Sequence, residues 1–151
     1  MNYAKDPEVT RYVTWKPHEN IEQTVEWIKY CIKTCNDASG IKLVIFHQKD
    51  RQAIGMIDFR FAGHSTNFGY VLAKSYWNQG IMTEAMRPAI AYVYSIPSIY
   101  RIWAVHHIEN AASGKVMEKI GMTFECILRR YEIFPNISNT PEDAKLYSMV
   151  K

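Results

Sequence analysis

The sequence predicts one mixed α/β domain of the α+β type over residues 1–151, on two observations. The chain is 48% hydrophobic and 22% charged, a balance that suits one compact core at this length. Apolar residues recur with helical spacing in some segments and alternate as in strands in others. The predicted order is helix, three strands, helix, strand, helix and two strands, without internal repeats.

The first predicted helix follows a capping pattern in which Asn20 precedes Gln23. The run from 36 to 40 is rich in helix-breaking residues and ends it. Cys31 and Cys35 lie four residues apart on this helix, where two small buried side chains fit better than a metal pair. Its apolar positions recur about every 3.6 residues: Ile21, Val25, Ile28, Ile32 and Cys35.

Two β-branched segments around a polar turn predict an antiparallel hairpin, with strands over Ile41–His47 and Ala53–Phe61. Beyond the hairpin, the polarity pattern predicts a loop over Ala62–Asn67 and a strand over Phe68–Ala73. The connection Lys74–Gly80 then leads into the second helix.

The second helix carries apolar residues from Ala85 to Val93, and Pro88 is expected to bend it. The remaining segments alternate between strand and helix, with Gly121 at a C-cap position. They are a strand over Ser98–His107, a helix over Ala111–Ile120, a strand over Met122–Leu128, an irregular excursion over Tyr131–Glu142 and a strand over Ala144–Val150.

Composition narrows the function classes. The net charge is +3 without a basic stripe, so we expect neither a nucleic-acid partner nor, given the short uncharged stretches, a membrane partner. Three cysteines, an odd number without finger spacing, favour a reduced cytoplasmic compartment. The histidines lack zinc spacing and the tryptophans lack basic neighbours, so we expect no metal, and tryptophans that pack in the core.

The most informative segment runs from Tyr70 to Ala85, where a strand leads into a turn whose glycine opens a helix. A glycine there lets an anion approach the backbone, and the first helical N–H groups supply donors at the positive end of the helix dipole. The dinucleotide and phosphate-loop signatures are both absent. Taken alone, one glycine at such a turn also fits a plain connection.

Two ordered blocks resemble the GNAT N-acetyltransferases, in the branch of the ribosomal-protein N-terminal acetyltransferases. The first is Tyr70-Val-Leu with Tyr76-Trp-Asn-Gln-Gly-Ile-Met-Thr-Glu-Ala, which is similar to the acetyl-coenzyme A signature. The second, from Asn110 to Glu125, resembles that branch's Asn-x-x-Ser helix and the strand after it. The resemblance implies a mostly antiparallel sheet, flanked by helices and splayed near Leu72 and Ala104 to admit acetyl-coenzyme A.

The resemblance also implies roles for particular residues. Backbone N–H groups from Gln79 to Thr83 would hold the pyrophosphate, while Val71 and Leu72 would pair with the pantetheine amides. Asn110 would hydrogen-bond the pantetheine arm, and Met82 stands where the signature prefers a smaller residue. The implied cofactor-binding set is therefore Val71, Leu72, Gln79, Gly80, Ile81, Met82, Thr83, Asn110 and Ser113.

Three residues are implied in catalysis. The N–H of Leu72 would polarise the thioester oxygen, and Ser113 could deliver a proton to the departing thiolate. Helix capping is the alternative for both Asn110 and Ser113. Asn67 stands where the branch often carries a glutamate and cannot take a proton, so the general base is predicted to be Glu132, whose alternative is a solvated loop residue.

The resemblance implies an enzyme that transfers acetyl directly to a primary amine, either a peptide or protein N-terminus or a small molecule such as an amino acid or antibiotic. A coenzyme A-binding module without catalysis is the alternative. The loops His18–Glu22, Ala62–Asn67 and Tyr131–Glu142 should shape the acceptor site. Only five residues precede Asp6, where relatives usually have a strand, so Ile41–His47 is expected to be an exposed sheet edge open to dimerisation.

Overall fold

The computed structural model describes residues 2–151, apart from the side chain of Asn2. The helices are α1 (Pro7–Thr10), α2 (Ile21–Asn36), α3 (Ile81–Ser95) and α4 (Ala111–Lys119), with 3-10 turns at Asn2–Lys5 and Lys74–Tyr76. The strands are β1 (Gly40–His47), β2 (Gln52–Ala62), β3 (Ser65–Leu72), β4 (Arg101–His107), β5 (Thr123–Ile133) and β6 (Pro141–Val150). The predicted order of the longer elements is confirmed.

Within the described residues the strands form one sheet in the order β1-β2-β3-β4-β6-β5. All neighbours are antiparallel except β3 and β4, which are parallel because α3 crosses between them. The sheet is therefore mixed and mostly antiparallel, and β1 and β5 are its two edges.

The main core lies between one face of the sheet and the helices α3 and α4. Phe59 and Phe68 stand opposite each other on β2 and β3, and their rings are 5.6 Å apart between centroids. Met86 and Val93 of α3 and Met117 of α4 pack against this face and are at most 2% exposed. Helix α3 runs unbroken through Pro88.

Helix α2 begins as predicted but packs differently. The Oδ1 of Asn20 accepts a hydrogen bond from the N–H of Gln23 at 3.0 Å. Its buried residues are Cys31 and Thr34, whereas the regularly spaced apolar side chains Ile21, Val25, Ile28 and Ile32 are 42–56% exposed. The apolar stripe is therefore largely exposed instead of packed in the core, and Ile28 and Ile32 line the large cleft described below. The three cysteines of the chain are free thiols.

Three predicted boundaries are wrong. Ala62 pairs with Ser65, so only Gly63 and His64 form the hairpin turn and the expected loop Ala62–Asn67 is mostly strand. Gly63 makes this tight turn possible with a φ of +58°. The excursion Tyr131–Glu142 is also shorter than expected, because β5 extends to Ile133 and β6 begins at Pro141.

The third wrong boundary is that of β4, which begins at Arg101 rather than Ser98. The tryptophans are less buried than expected, and Trp77 is 38% exposed. No helix among the described residues is long and apolar enough to cross a membrane.

Candidate active site

The sheet opens between β3 and β4. These parallel strands pair over only three residues each, Ser65–Asn67 with Arg101–Trp103. Beyond that point β3 continues to Leu72 and β4 to His107 without pairing to each other. The expected splay near Leu72 and Ala104 is present.

A cleft of about 1840 Å³ runs through this opening. It extends from the start of α3, past the gap between β3 and β4, to the surfaces of α1 and α2. Of the site residues predicted from the sequence, Gln79 does not line it. The others do: Val71, Leu72, Gly80, Ile81, Met82, Thr83, Asn110, Ser113 and Glu132.

The backbone direction of β3 decides which of its groups face the gap. The N–H of Ala73 donates to the carbonyl of Ile54 on β2 at 2.7 Å. Because successive residues of a strand point their backbone groups to opposite neighbours, Val71 also faces β2, whereas Tyr70 and Leu72 face the gap. The expectation is therefore wrong for the N–H of Val71, which points away from the gap.

Leu72 is held in this position by Trp77. The indole Nε1 of Trp77 donates to the carbonyl oxygen of Leu72 at 2.7 Å. This bond occupies the carbonyl of Leu72 and leaves its N–H directed into the gap.

The start of α3 forms an anion cradle. Gly80 is the N-cap with a φ of +79°, a left-handed conformation that favours glycine, and no side chain caps the helix. The N–H groups of Ile81, Met82 and Thr83 belong to the first turn, and such groups have no carbonyl partner within the helix. The side chain of Met82 is 5% exposed and packs into the core, so it does not crowd the turn.

Gln79 is exposed, and its Nε2 donates to the carbonyl of Ser75 at 2.9 Å. This contact ties the turn before Gly80 back onto the preceding 3-10 turn.

The start of α4 forms the opposite wall of the gap. The Oδ1 of Asn110 accepts a hydrogen bond from the N–H of Ser113 at 3.2 Å, so Asn110 caps the helix. The Nδ2 of Asn110 is not used in this cap. Ser113 does not act as a cap, because its side chain makes no hydrogen bond among the described residues; its carbonyl accepts from the hydroxyl of Tyr70 at 3.2 Å. The Ser113 hydroxyl therefore stays available in the cleft.

Few carboxylates line the cleft. Glu132 lies on β5 opposite Glu142, and its Oε1 accepts from the N–H of Ile133 at 3.1 Å. Asn67 lies on β3 opposite Arg60 and also lines the cleft. Glu8 pairs with Lys74, and Asp58 pairs with Lys42 beneath α2. These two carboxylates are already neutralised by lysines.

The segment 11–15 forms a wall of the cleft that the sequence did not predict, and two residues hold it in place. Asn136, between β5 and β6, donates from Nδ2 to the carbonyls of Thr10 at 2.6 Å and Trp15 at 2.8 Å. His107 stacks on Tyr12 at 5.1 Å between ring centroids. The segment 10–15 lies next to α1, whose N-cap Asp6 followed by Pro7 is a helix-start signal that could have located it.

Of the expected acceptor loops, His18–Glu22 contributes only His18 to the cleft and Ala62–Asn67 only Asn67. Tyr131, Glu132 and Phe134 line the cleft from the third. Among residues 2–151, no cluster of three or more histidine, cysteine or acidic side chains is placed to hold a metal ion.

The opening between β3 and β4 and the uncapped turn at Gly80 belong to one cleft. A comparison of the sequence with protein families identifies the family to which this arrangement belongs. The acetyltransferase (GNAT) domain family matches residues 1–123. The chain belongs to the GNAT acetyltransferase family. It is an N-acetyltransferase that uses acetyl-coenzyme A.

Relatives of this GNAT enzyme differ in what they acetylate. This chain is 31% identical over 147 residues to the uncharacterized N-acetyltransferase YoaA of Bacillus subtilis, and the match covers 95% of this chain and 81% of the relative. It is 28% identical over 91 residues to the ribosomal protein uS5-alanine N-acetyltransferase of Escherichia coli, covering 58% and 47%. The spermidine N-acetyltransferase structure from Vibrio cholerae superposes with a TM-score of 0.80 at 18% identity, covering 99% and 86%.

The residues of this GNAT enzyme fit coenzyme A. The free N–H groups at the start of α3 suit a pyrophosphate, since a helix N-terminus attracts anions. The Nδ2 of Asn110 can meet an amide carbonyl of the pantetheine arm, and the gap-facing N–H of Leu72 can meet the thioester oxygen. When bound, the cofactor supplies the activated acetyl group. The chain supplies hydrogen-bond donors, apolar cleft walls and side chains that can transfer a proton.

Proposed function

We propose that this GNAT enzyme acetylates the α-amino group of a peptide or protein N-terminus by direct transfer, without a covalent enzyme intermediate. The observation that carries the proposal is the scarcity of free carboxylates in the cleft: of the described acidic residues that line it, Glu109 and Glu132 have no lysine partner, and the neutral Asn67 lies on the neighbouring wall. An α-amino group has an unperturbed pKa of about 7.7–8.0, whereas that of a lysine is about 10.4. A site with little basic capacity therefore suits an N-terminus better than a lysine.

Three residues carry the chemistry in this proposal. The N–H of Leu72 stabilises negative charge on the thioester oxygen, because it points into the gap and its own carbonyl is held by Trp77. Glu132 takes the proton of the attacking amine, directly or through one water. The hydroxyl of Ser113 gives a proton to the departing sulfur, and its backbone is fixed by Asn110 and Tyr70.

The charge pattern argues against a polyamine acceptor. A polycation needs several free carboxylates, but Glu8 and Asp58 on the cleft wall are both paired with lysines. Among the described residues, Glu109 and Glu132 are the only other carboxylates that line the cleft. The aromatic wall from Tyr12 to Trp27 suits an apolar or extended peptide better than a multiply charged chain.

An acceptor screen tests this proposal. Acetyl-coenzyme A consumption would be measured with peptides of varied first residue, the same peptides with a blocked N-terminus and one internal lysine, free amino acids, an aminoglycoside and spermidine. We expect transfer to free N-termini and little to the blocked lysine peptides. Preferred transfer to a small amine would replace the acceptor class. Coenzyme A binding without transfer to any amine would leave the non-catalytic module as the function.

We also propose that two copies associate through β1. Its outer edge pairs with no strand among residues 2–151, and Val44 and Phe46 are 62% and 57% exposed. The strand carries one charged residue, Lys42, which forms an ion pair with Asp58. The opposite edge, β5, has two register shifts against one in β1, at Ile45/Phe46, and it carries several charges, which protect an edge from pairing. Antiparallel pairing of β1 with a second β1 is therefore the association that this sheet favours.

A further inference from the structure

A row of apolar side chains crosses the sheet from the opening at β3 to the edge strand β1. Val71 stands opposite Met56, and Met56 stands opposite Val44. Register partners on neighbouring strands carry their side chains on the same face, and side chains alternate between faces along each strand. Ile57, next to Met56, packs in the main core. The apolar row Val44, Met56 and Val71 therefore lies on the opposite face of the sheet.

Helix α2 lies over the same face as the apolar row. The Nζ of Lys42 on β1 lies 5.7 Å from the ring centroid of Tyr30 on α2. Because the connection between α2 and β1 is short, the two elements run in opposite directions, and residues earlier in α2 lie over residues later in β1. Ile28 and Val44 accordingly line the same cleft.

The apolar row is open and carries no charge. Val71 and Met56 are half-buried, Val44 is 62% exposed, and all three line the candidate active-site cleft. On one side of the row, the next residues of β1 and β2 on this face are Lys42 and Asp58, which pair with each other. The row therefore offers a continuous apolar floor to whatever enters the cleft.

The two faces of the sheet serve different ligands. Helices α3 and α4 pack on the core face, and their starts carry the anion cradle at Gly80 and the cap at Asn110, which fit coenzyme A. An acceptor must therefore reach the gap from the α2 face, where the apolar row begins at Val71.

We propose that the apolar row binds the acceptor peptide beyond its N-terminus and selects an apolar side chain at its fourth residue. The inference rests on the proposed acetylation of N-termini and adds a sequence preference to it. Neighbouring strands lie about 4.8 Å apart, so Val44 is about 10 Å from Val71 across the sheet. An extended chain advances about 3.3 Å per residue. With the first residue at the gap beside Val71, the fourth residue reaches Val44 and Ile28.

The test compares short peptides that have a free N-terminus and differ only at the fourth residue, which is leucine, serine, lysine or glutamate. In wild type we expect kcat/KM for the leucine peptide to exceed that for the serine peptide by about tenfold, the effect of burying roughly half of a leucine side chain. Equal values for these two peptides would overturn the inference while leaving acetylation of N-termini intact. No transfer to any free N-terminus would instead overturn the proposed function itself.

Ile28→Lys provides a change of preference that a general loss of activity cannot imitate. Ile28 is 50% exposed, so the helix should tolerate the substitution. A lysine there should make the glutamate peptide a better substrate than the leucine peptide, which reverses the order expected for wild type. The wild-type order of peptides in this variant would contradict the placement of the fourth residue.

Ile21→Lys is the matched control for Ile28→Lys. Ile21 belongs to the same stripe of α2 and is 51% exposed, but it does not line the cleft. This variant should keep the wild-type order of peptides. A reversal in both variants would show that the added charge acts at long range, and it would overturn the contact with the apolar row.

A binding measurement on wild type requires no turnover. Methionine methyl resonances would be recorded with coenzyme A and either the leucine or the serine peptide, and the Met56 resonance would be assigned through Met56→Leu. The Met56 methyl should shift more with the leucine peptide, whereas Met86, which is buried on the core face, should stay in place. Equal shifts of Met56 with both peptides would refute the contact.

Discussion

The hydroxyl of Tyr70 on β3 donates to the carbonyl oxygen of Ser113 on α4, in the part of the cleft where β3 and β4 no longer pair. The bond joins the two walls of the cleft at the level where the sheet opens. Burial raises the pKa of Tyr70 to about 12, so the hydroxyl keeps its proton under ordinary conditions.

Tyr70→Phe should lower the free energy of unfolding by about 1 kcal/mol, the usual net contribution of one hydrogen bond. Because the folded pKa lies above the ordinary value of 10.0, this stability is fully present below pH 10 and is lost as pH rises toward 12. The difference between wild type and variant in urea unfolding should therefore shrink over that interval. A constant difference from pH 8 to 12 would contradict the buried hydroxyl.

Ser113→Ala should reduce turnover by roughly a hundredfold, as expected for loss of a general acid, with little change in acetyl-coenzyme A affinity. The cap from Asn110 and the bond from Tyr70 both use backbone atoms of Ser113, so the helix should survive the change. Steady-state kinetics and calorimetry measure the two quantities separately. Unchanged turnover would remove the hydroxyl from the reaction.

Glu132→Gln should lower kcat/KM by roughly a hundredfold and remove a basic group from the pH profile. Glu142→Gln is the matched control, because Glu142 is the register partner of Glu132 on β6 and does not line the cleft. The two variants would be compared on the best acceptor of the screen. An equal loss of kcat/KM in both variants would show that negative charge on this part of the sheet matters, and not proton transfer by Glu132.

Glu125→Gln should make the protein less stable near neutral pH but not in acid. Arg101 donates two hydrogen bonds of 2.8 and 2.6 Å to the carboxylate of Glu125, and the hydroxyl of Ser148 donates a third. Together these contacts lower the pKa of Glu125 to about 2. The contribution is present above the ordinary value of 4.5 and is lost as pH falls toward 2. Thermal unfolding of both proteins from pH 7 to 2 should show the gap closing.

Val44→Lys should convert a dimer into a monomer, because a lysine on an edge strand opposes strand pairing. Light scattering across a range of concentrations measures the state of both proteins. Ile127→Lys on β5 is the control, since it alters an exposed apolar residue at the opposite edge and should leave the dimer unchanged. A monomeric wild type at all concentrations would refute the association.

Features set by neighbouring residues were predictable from the sequence. The cap at Asn20 and the helix-opening turn at Gly80 depend on contacts within four residues, and both are present. The splay followed from a family resemblance carried by two blocks of sequence. In each case the information lay within one short segment.

Features set by distant residues were not predictable. The direction of the Val71 N–H depends on the register between β2 and β3, and the apolar row from Val71 to Val44 depends on that register and on the one between β1 and β2. The contacts of Asn136 join residues more than 120 positions apart. The exposure of the α2 stripe could not be foreseen either, because spacing defines an apolar face but not what packs against it.

The three-residue pairing between β3 and β4 divides the sheet into two blocks, β1-β2-β3 and β4-β6-β5. The blocks share the core under α3 but little backbone hydrogen bonding, so local opening at this junction costs less than opening within either block. A cofactor lying between the strands contacts both blocks at once, and its binding energy then opposes their separation. In the proposed binding mode, coenzyme A would take the place of the strand pairing that the chain omits, and the loaded enzyme would resist separation of the two blocks more than the empty one.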